Sequence, residues 1–184
     1  MKPYEAEARF FVHEGFKETL ERMGFKVVYE YKFVDHFYCP PGGWREEGKT
    51  LRARDWGGRC EVLFTRVEKL KFGDLEFKRS LYPQGKVKLY EGSLEECVKL
   101  LEDMEFVKCG EVRKEEGYIM SNGDVEVALE KINGKWVLEV EVEGADPNSA
   151  YLKMKEIMKL LGLKSPTSKS TFELFSNTNT TGPS

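Results

Sequence analysis

Apolar and charged residues alternate without a break over Leu138-Glu139-Val140-Glu141-Val142-Glu143. Near the other end, Glu5-Ala6-Glu7-Ala8-Arg9 alternates in the same way, and Phe10 and Val12 carry the apolar row onward. Alternate residues of a strand share a face, so each segment reads as a strand with one apolar and one charged side. The same period predicts strands over 4–12, Val27–Tyr38, Thr50–Asp55, Arg59–Val67, Leu75–Leu81 and Gly85–Tyr90. Further strands are predicted at Val107–Arg113, Gly117–Met120, Val125–Ile132 and Trp136–Glu143. The period lengthens to that of a helix over Glu14–Met23, where Phe16, Leu20 and Met23 form one face and Gly24 is a stop. Ser93-Leu94-Glu95-Glu96 is a capping box for a second helix reaching about Glu105. Asp146-Pro147 opens a third helix, to Leu161 with Gly162 as its stop, and Ser165-Pro166 opens a short last one through Phe175.

The segment Leu20-Glu21-Arg22-Met23-Gly24-Phe25 is echoed by Leu101-Glu102-Asp103-Met104-Glu105-Phe106, and each leads from a helix into strands. Two strand-rich halves, each with a helix, predict an α+β fold. Many connections are too short for crossovers, so the sheet should be mostly antiparallel. A single domain is expected over residues 1–175, followed by a polar, disordered tail over 176–184 (SNTNTTGPS).

Composition narrows the class. The net charge is −3 in a chain that is 33% charged, which argues against a bulk nucleic-acid binder and for local clusters of both signs. No apolar run approaches membrane-spanning length and acidic residues begin at position 5, so a soluble, cytoplasmic protein is expected, a monomer or homodimer with no nucleic-acid or membrane partner. Glu outnumbers Asp, Lys is abundant and Gln84 is the only glutamine, a profile that leans toward a thermophile. Cys39, Cys60, Cys97 and Cys109 are widely spaced and read as reduced, buried thiols.

Several strands carry charges at i and i+2. Besides the two opening rows, Arg52 and Arg54 flank Ala53, Lys86 and Lys88 alternate with Val87 and Leu89, Glu126 and Glu130 alternate with apolar neighbours, and Arg66 ends a row with Val62 and Phe64. Each alone describes a sheet with one wet face. Together they also fit a closed sheet with a charged interior, whose natural occupant is a polyanion bridged by a metal ion. Gly43-Trp44-Arg45-Glu46-Glu47-Gly48-Lys49-Thr50 matches the P-loop letters, but that mechanism needs a buried strand before it and a helix after it. Here Pro40-Pro41-Gly42 precedes and strand-like Leu51-Arg52-Ala53-Arg54 follows, so a flexible hairpin loop is expected. His13 and His36 have no ligand-like companions, and the sequon at Asn179 carries nothing in a cytoplasmic tail.

With these residues in view, roughly 2–175 resembles the CYTH family of triphosphate tunnel metalloenzymes, which includes class IV adenylyl cyclases, thiamine triphosphatases and inorganic tripolyphosphatases. Glu5-Ala6-Glu7-Ala8-Arg9 is similar to the family's ExExK signature, with Arg in place of Lys. Asp35-His36-Phe37-Tyr38, Leu51-Arg52-Ala53-Arg54, Leu63-Phe64-Thr65-Arg66, Val112-Arg113-Lys114 and Leu138-Glu139-Val140-Glu141 resemble its later strands in order. The departures are Arg9, Glu116 after Lys114, Glu130 where Asp is common, Lys78 in a usually acidic strand, and Thr171-Phe172-Glu173-Leu174 near the end.

The resemblance implies a closed antiparallel barrel of about eight strands, a triphosphate tunnel with helices packed outside. It implies that Arg9, Arg52, Arg54, Arg66, Lys86, Lys88 and Lys114 bind substrate phosphate and that Glu5, Glu7, Glu139 and Glu141 hold Mg²⁺ or Mn²⁺. Glu5 and Glu7 are the expected catalytic carboxylates, and Glu130 and Glu76 are further candidates. The substrate is then a triphosphate-containing small molecule. Hydrolysis is the first expectation, because no separate adenine-reading motif stands out. A class IV cyclase making cyclic AMP and pyrophosphate, or a non-catalytic polyphosphate or nucleotide module, are the alternatives.

Overall fold

The computed structural model describes residues 4–167 and 169–175, so the expected tail at 176–184 lies outside the described residues. In chain order the elements are β1 (Tyr4–Phe11), α1 (Phe16–Arg22), β2 (Lys26–Cys39), β3 (Lys49–Asp55), β4 (Cys60–Phe72), β5 (Leu75–Ser80) and β6 (Val87–Gly92). Then follow α2 (Leu94–Asp103), β7 (Val107–Ser121), β8 (Glu126–Ile132), β9 (Lys135–Gly144), α3 (Pro147–Leu161) and α4 (Thr171–Phe175).

Strands pair in the order β3-β2-β7-β8-β9-β1-β5-β4, and β4 pairs again with β3. Eight strands therefore close into the expected antiparallel barrel, with β6 added on β4 and the helices outside. Closure leaves those eight strands without an open edge.

The chain forms two compact units. The first comprises residues 1–32, 69–79 and 114–169. Its core gathers Ala6, Ala8 and Phe10 from β1, Leu138 and Val140 from β9, and Ala150 and Met154 from α3. These are the apolar halves of the alternating rows, so the charged halves lie on the other face of β1 and β9. Asp146 caps α3 through the Ser149 N–H at 3.0 Å, and Gly162 ends it in the left-handed region at φ 65°. The second unit comprises, among the described residues, 33–68, 80–113 and 170–175. Its core joins Tyr38, Leu51, Ala53 and Val62 to Cys97 and Leu101 of α2. The Ser93 hydroxyl accepts the Glu96 N–H at 3.1 Å, as the capping box requires.

The structure corrects several boundaries. The two strands expected at Val107–Arg113 and Gly117–Met120 are one, β7, whose pairing with β8 shifts register between Lys114 and Glu116. A bulge of this kind interrupts the alternation and reads in sequence as a break. β4 continues past Val67 to Phe72. The last helix begins at Thr171, because Thr167 is held in a two-way backbone exchange with Arg9, at 2.8 Å each way, and is not free to coil. The P-loop look-alike lies between β2 and β3 and runs into a strand, as a hairpin loop does.

The thiols also differ from expectation. Cys60 and Cys97 are buried and free, but Cys39 and Cys109 form a disulfide with a Cα–Cα distance of 5.9 Å. Widely spaced positions carry no sign of such a pairing until β2 and β7 are known to be neighbours. The bond joins residues 70 apart. Cys39→Ser with Cys109→Ser is therefore expected to lower stability by about 2–4 kcal/mol. Urea denaturation of oxidised wild type against the double variant measures this, and addition of reductant to wild type should reproduce the loss.

Candidate metal and phosphate site

In the first unit, antiparallel pairing sets Glu5 opposite Glu143, Glu7 opposite Glu141 and Arg9 opposite Glu139. Directly opposed side chains share a face, so two like-charged pairs and one ion pair stand in a ladder. On the other side of β1, Lys78 of β5 stands opposite Glu5. Carboxylate oxygens of Glu7, Glu139 and Glu141 lie within 4.8 Å of one another, as do those of Glu5, Glu141 and Glu143.

Arg9 is 6% exposed. Its Nη2 donates to Glu7 Oε1 and, at 3.0 Å, to Glu139 Oε2, and its Nη1 donates to the Lys169 carbonyl at 3.0 Å. Burial raises the pKa of Glu7, helped by the Glu139 charge, and Arg9 and Lys78 offset part of this. Burial also acts to raise Glu139, but Arg9, Lys114 and Lys78 together hold it below the usual carboxylate range. Glu141 is pushed up to about 7 by desolvation and by the charges of Glu7, Glu5, Glu139 and Glu143. Five carboxylates on one face are a strained arrangement that a cation relieves. An all-oxygen donor set suits a hard ion such as Mg²⁺ or Mn²⁺ rather than a thiolate- or imidazole-seeking metal. The residues present fit such an ion.

Beside the ladder in the same unit, Glu130 of β8 is 1% exposed. Its Oε2 accepts from Lys114 Nζ at 2.6 Å and from the Tyr31 hydroxyl at 2.7 Å. Tyr31 reaches it by lying across Gly117, where an added Cβ would stand 2.3 Å from Tyr31 Cε2. Gly117→Ala is thus expected to displace Tyr31 and to destabilise the fold by about 1–3 kcal/mol, measurable as a drop in the denaturation midpoint. Adding Tyr31→Ala should recover part of the loss. Glu76, a further candidate, pairs with Lys69 at 3.8 Å and joins neither carboxylate trio.

In the second unit, Asp35 is 2% exposed and sits opposite Arg54 on the β2–β3 ladder. Arg54 grips it with a two-pronged bond, Nε to Oδ1 and Nη2 to Oδ2, both 2.9 Å. Arg52 reaches the same carboxylate at 3.5 Å and Thr65 Oγ1 at 3.3 Å. The Arg54 guanidinium also lies 3.9 Å from the centre of the Phe33 ring. Arg66 is partly exposed and pairs with Glu46 of the β2–β3 loop. Lys86 and Lys88 lie exposed on the chain at β6, and Lys88 pairs with Glu91 at 2.8 Å and Glu61 at 3.9 Å.

Four participants stood outside the expected site set: Asp35, Lys78, Tyr31 and Glu143. Asp35 and Tyr31 carry a signal, since each is a polar group in a strand that is otherwise rich in aromatics and β-branched residues. Glu143 continues the Glu139-Glu141 row by simple alternation.

No match was found among curated proteins. Among solved structures, a protein of Pyrococcus horikoshii OT3 is similar over 94% of this chain and 99% of its own, with 22% identity and a TM-score of 0.71. A conserved hypothetical protein of Pyrococcus furiosus is similar over 93% and 99%, with 21% identity and a TM-score of 0.72. HpAC1 from Hippeastrum, whose description gives it a dominant triphosphatase activity, is similar over 94% of each chain, with 14% identity and a TM-score of 0.57. The CYTH domain family profile matches residues 3–172. That span contains both carboxylate trios and the Asp35 cluster, and the chain belongs to the CYTH family.

Proposed function

We propose that this chain is a metal-dependent triphosphatase that hydrolyses inorganic or organic triphosphates. CYTH enzymes act on triphosphates and depend on a metal. The observation that carries the reading is the β1–β9 ladder, which crowds carboxylate oxygens within 4.8 Å of one another in two trios that share Glu141, Glu5-Glu141-Glu143 and Glu7-Glu139-Glu141.

A triphosphate requires two kinds of group, oxygen donors for its cation and cationic donors for its own oxygens, and the chain offers both. Glu5, Glu7, Glu139 and Glu141, with Glu143 beside them, form the acidic ladder that would draw Mg²⁺ or Mn²⁺, through one or both of the trios that share Glu141. When bound, such an ion neutralises charge on phosphate oxygens and makes water a better nucleophile. Glu5 and Glu7 are assigned the catalytic role of orienting the attacking water. Asp35 fixes Arg52 and Arg54 in place before any ligand arrives, taking the Nε and Nη2 of Arg54, and the two guanidinium charges suit phosphate oxygens. Arg66 can exchange its exposed pairing with Glu46 for phosphate at little cost, since exposed ion pairs contribute little. Lys114, set by Glu130, adds a further charge.

Phosphate release from tripolyphosphate, ATP and thiamine triphosphate, each with Mg²⁺ and with Mn²⁺, tests the proposal. Release that disappears in Glu5→Gln and in Glu7→Gln supports it. Conversion of ATP to cyclic AMP and pyrophosphate would replace it with a cyclase, and tight polyphosphate binding without turnover would replace it with a binding module.

A further inference from the structure

We propose that Arg9 is a built-in cation that takes one of the two carboxylate trios, so that the chain holds a single divalent metal ion, through Glu5, Glu141 and Glu143. The inference rests on the metal-dependent reading above and specifies how many ions that site accepts and where.

The ladder offers two overlapping trios that share Glu141. The inner one, Glu7-Glu139-Glu141, already contains a positive charge, because Arg9 Nη2 is bonded to both Glu7 and Glu139. One oxygen of Glu7 and one of Glu139 are thereby committed, and the guanidinium charge between them repels a second cation. The guanidinium cannot lose its proton, so it cannot yield its charge to an incoming ion. Nor can it readily swing away. Its Nη1 is fixed on the Lys169 carbonyl at 3.0 Å, and its backbone exchanges two 2.8 Å hydrogen bonds with Thr167. The side chain is also buried to the extent that its Nε has no hydrogen-bond partner.

Lysine at this position would bring a single point charge on a flexible stem, able to turn to a ligand and leave its carboxylates to a metal. Arginine keeps Nη2 on both carboxylates while Nη1 is anchored on the Lys169 carbonyl. The outer trio draws its other two members from the neighbouring Glu5–Glu143 pair, one step along the ladder from the Arg9 bonds. Arginine at position 9 therefore leaves the metal to that end of the ladder.

Equilibrium Mn²⁺ binding, read by electron paramagnetic resonance on the full chain with no triphosphate present, tests this. Wild type should bind one ion, and Arg9→Ala, its fold checked by circular dichroism, should bind a second. Glu143→Gln should weaken the wild-type ion by about tenfold or more, whereas Glu139→Gln should change it by less than about threefold. The two carboxylate variants decide the matter even if Arg9→Ala fails to fold. Two ions in wild type, or Glu139→Gln weakening binding as much as Glu143→Gln, would overturn the inference while leaving the triphosphatase reading intact. Binding of no ion at all would remove both.

Discussion

Asp35→Ala should cost about 3–5 kcal/mol of folding stability, the loss expected when one partner of a buried ion pair is removed. The reason lies in what remains behind. Asp35 is 2% exposed and Arg54 is 8% exposed, and the pair is joined by two bonds of 2.9 Å. Truncation would leave the Arg54 guanidinium buried against Phe33 with its counter-charge gone, and would strip Arg52 of its contact with the same carboxylate. A loss of this size is a large share of the roughly 5–15 kcal/mol that holds a domain together. Denaturant unfolding monitored by circular dichroism measures it. The double variant Asp35→Leu with Arg54→Met should be more stable than Asp35→Ala alone, because no buried charge is then stranded. If Asp35→Ala unfolds at the wild-type midpoint, the carboxylate does not organise the arginines.

Glu141→Gln should have the opposite signature, activity lost and stability kept. Glu141 belongs to both carboxylate trios, so its loss is expected to lower triphosphate hydrolysis by at least about a hundredfold. Its pKa is raised to about 7, so the folded chain holds the neutral form more tightly than the unfolded chain does. The carboxylate therefore favours folding least above that value, and its penalty fades as pH falls through 7 toward the ordinary carboxylate range. In metal-free protein the glutamine should raise the unfolding midpoint at pH 8 and leave it little changed at pH 4.5. Paired thermal melts at the two pH values, beside a hydrolysis assay, separate this outcome from simple misfolding. A midpoint that falls at pH 8 would show that Glu141 is held by a favourable partner, contrary to the crowding described.

Much of the strand framework is written in two-residue alternation. The rows at Glu5-Glu7-Arg9 and Glu139-Glu141-Glu143 are visible in the sequence, and each lies on a strand in the structure. The sequence does not say that these rows lie side by side in register, since pairing between residues so far apart is a tertiary fact. Closure was likewise legible only through family resemblance. Local rules failed where a distant partner overrode them. Thr167 pairs with Arg9 instead of starting a helix, and Cys39 meets Cys109 because β2 and β7 are neighbours. Asp35 could be seen as a charge in an aromatic strand, but its role as the anchor of two arginines needed the β2–β3 register.

The acidic ladder and the fixed arginines are proposed to serve the hydrolysis of a triphosphate. A ³¹P magnetic-resonance time course of tripolyphosphate with the full chain, with and without Mg²⁺ or Mn²⁺, tests it most directly. Orthophosphate and pyrophosphate signals should grow only when a divalent ion is present, and Glu141→Gln should abolish them. An unchanged tripolyphosphate spectrum, with wild-type chain and either ion, would contradict it.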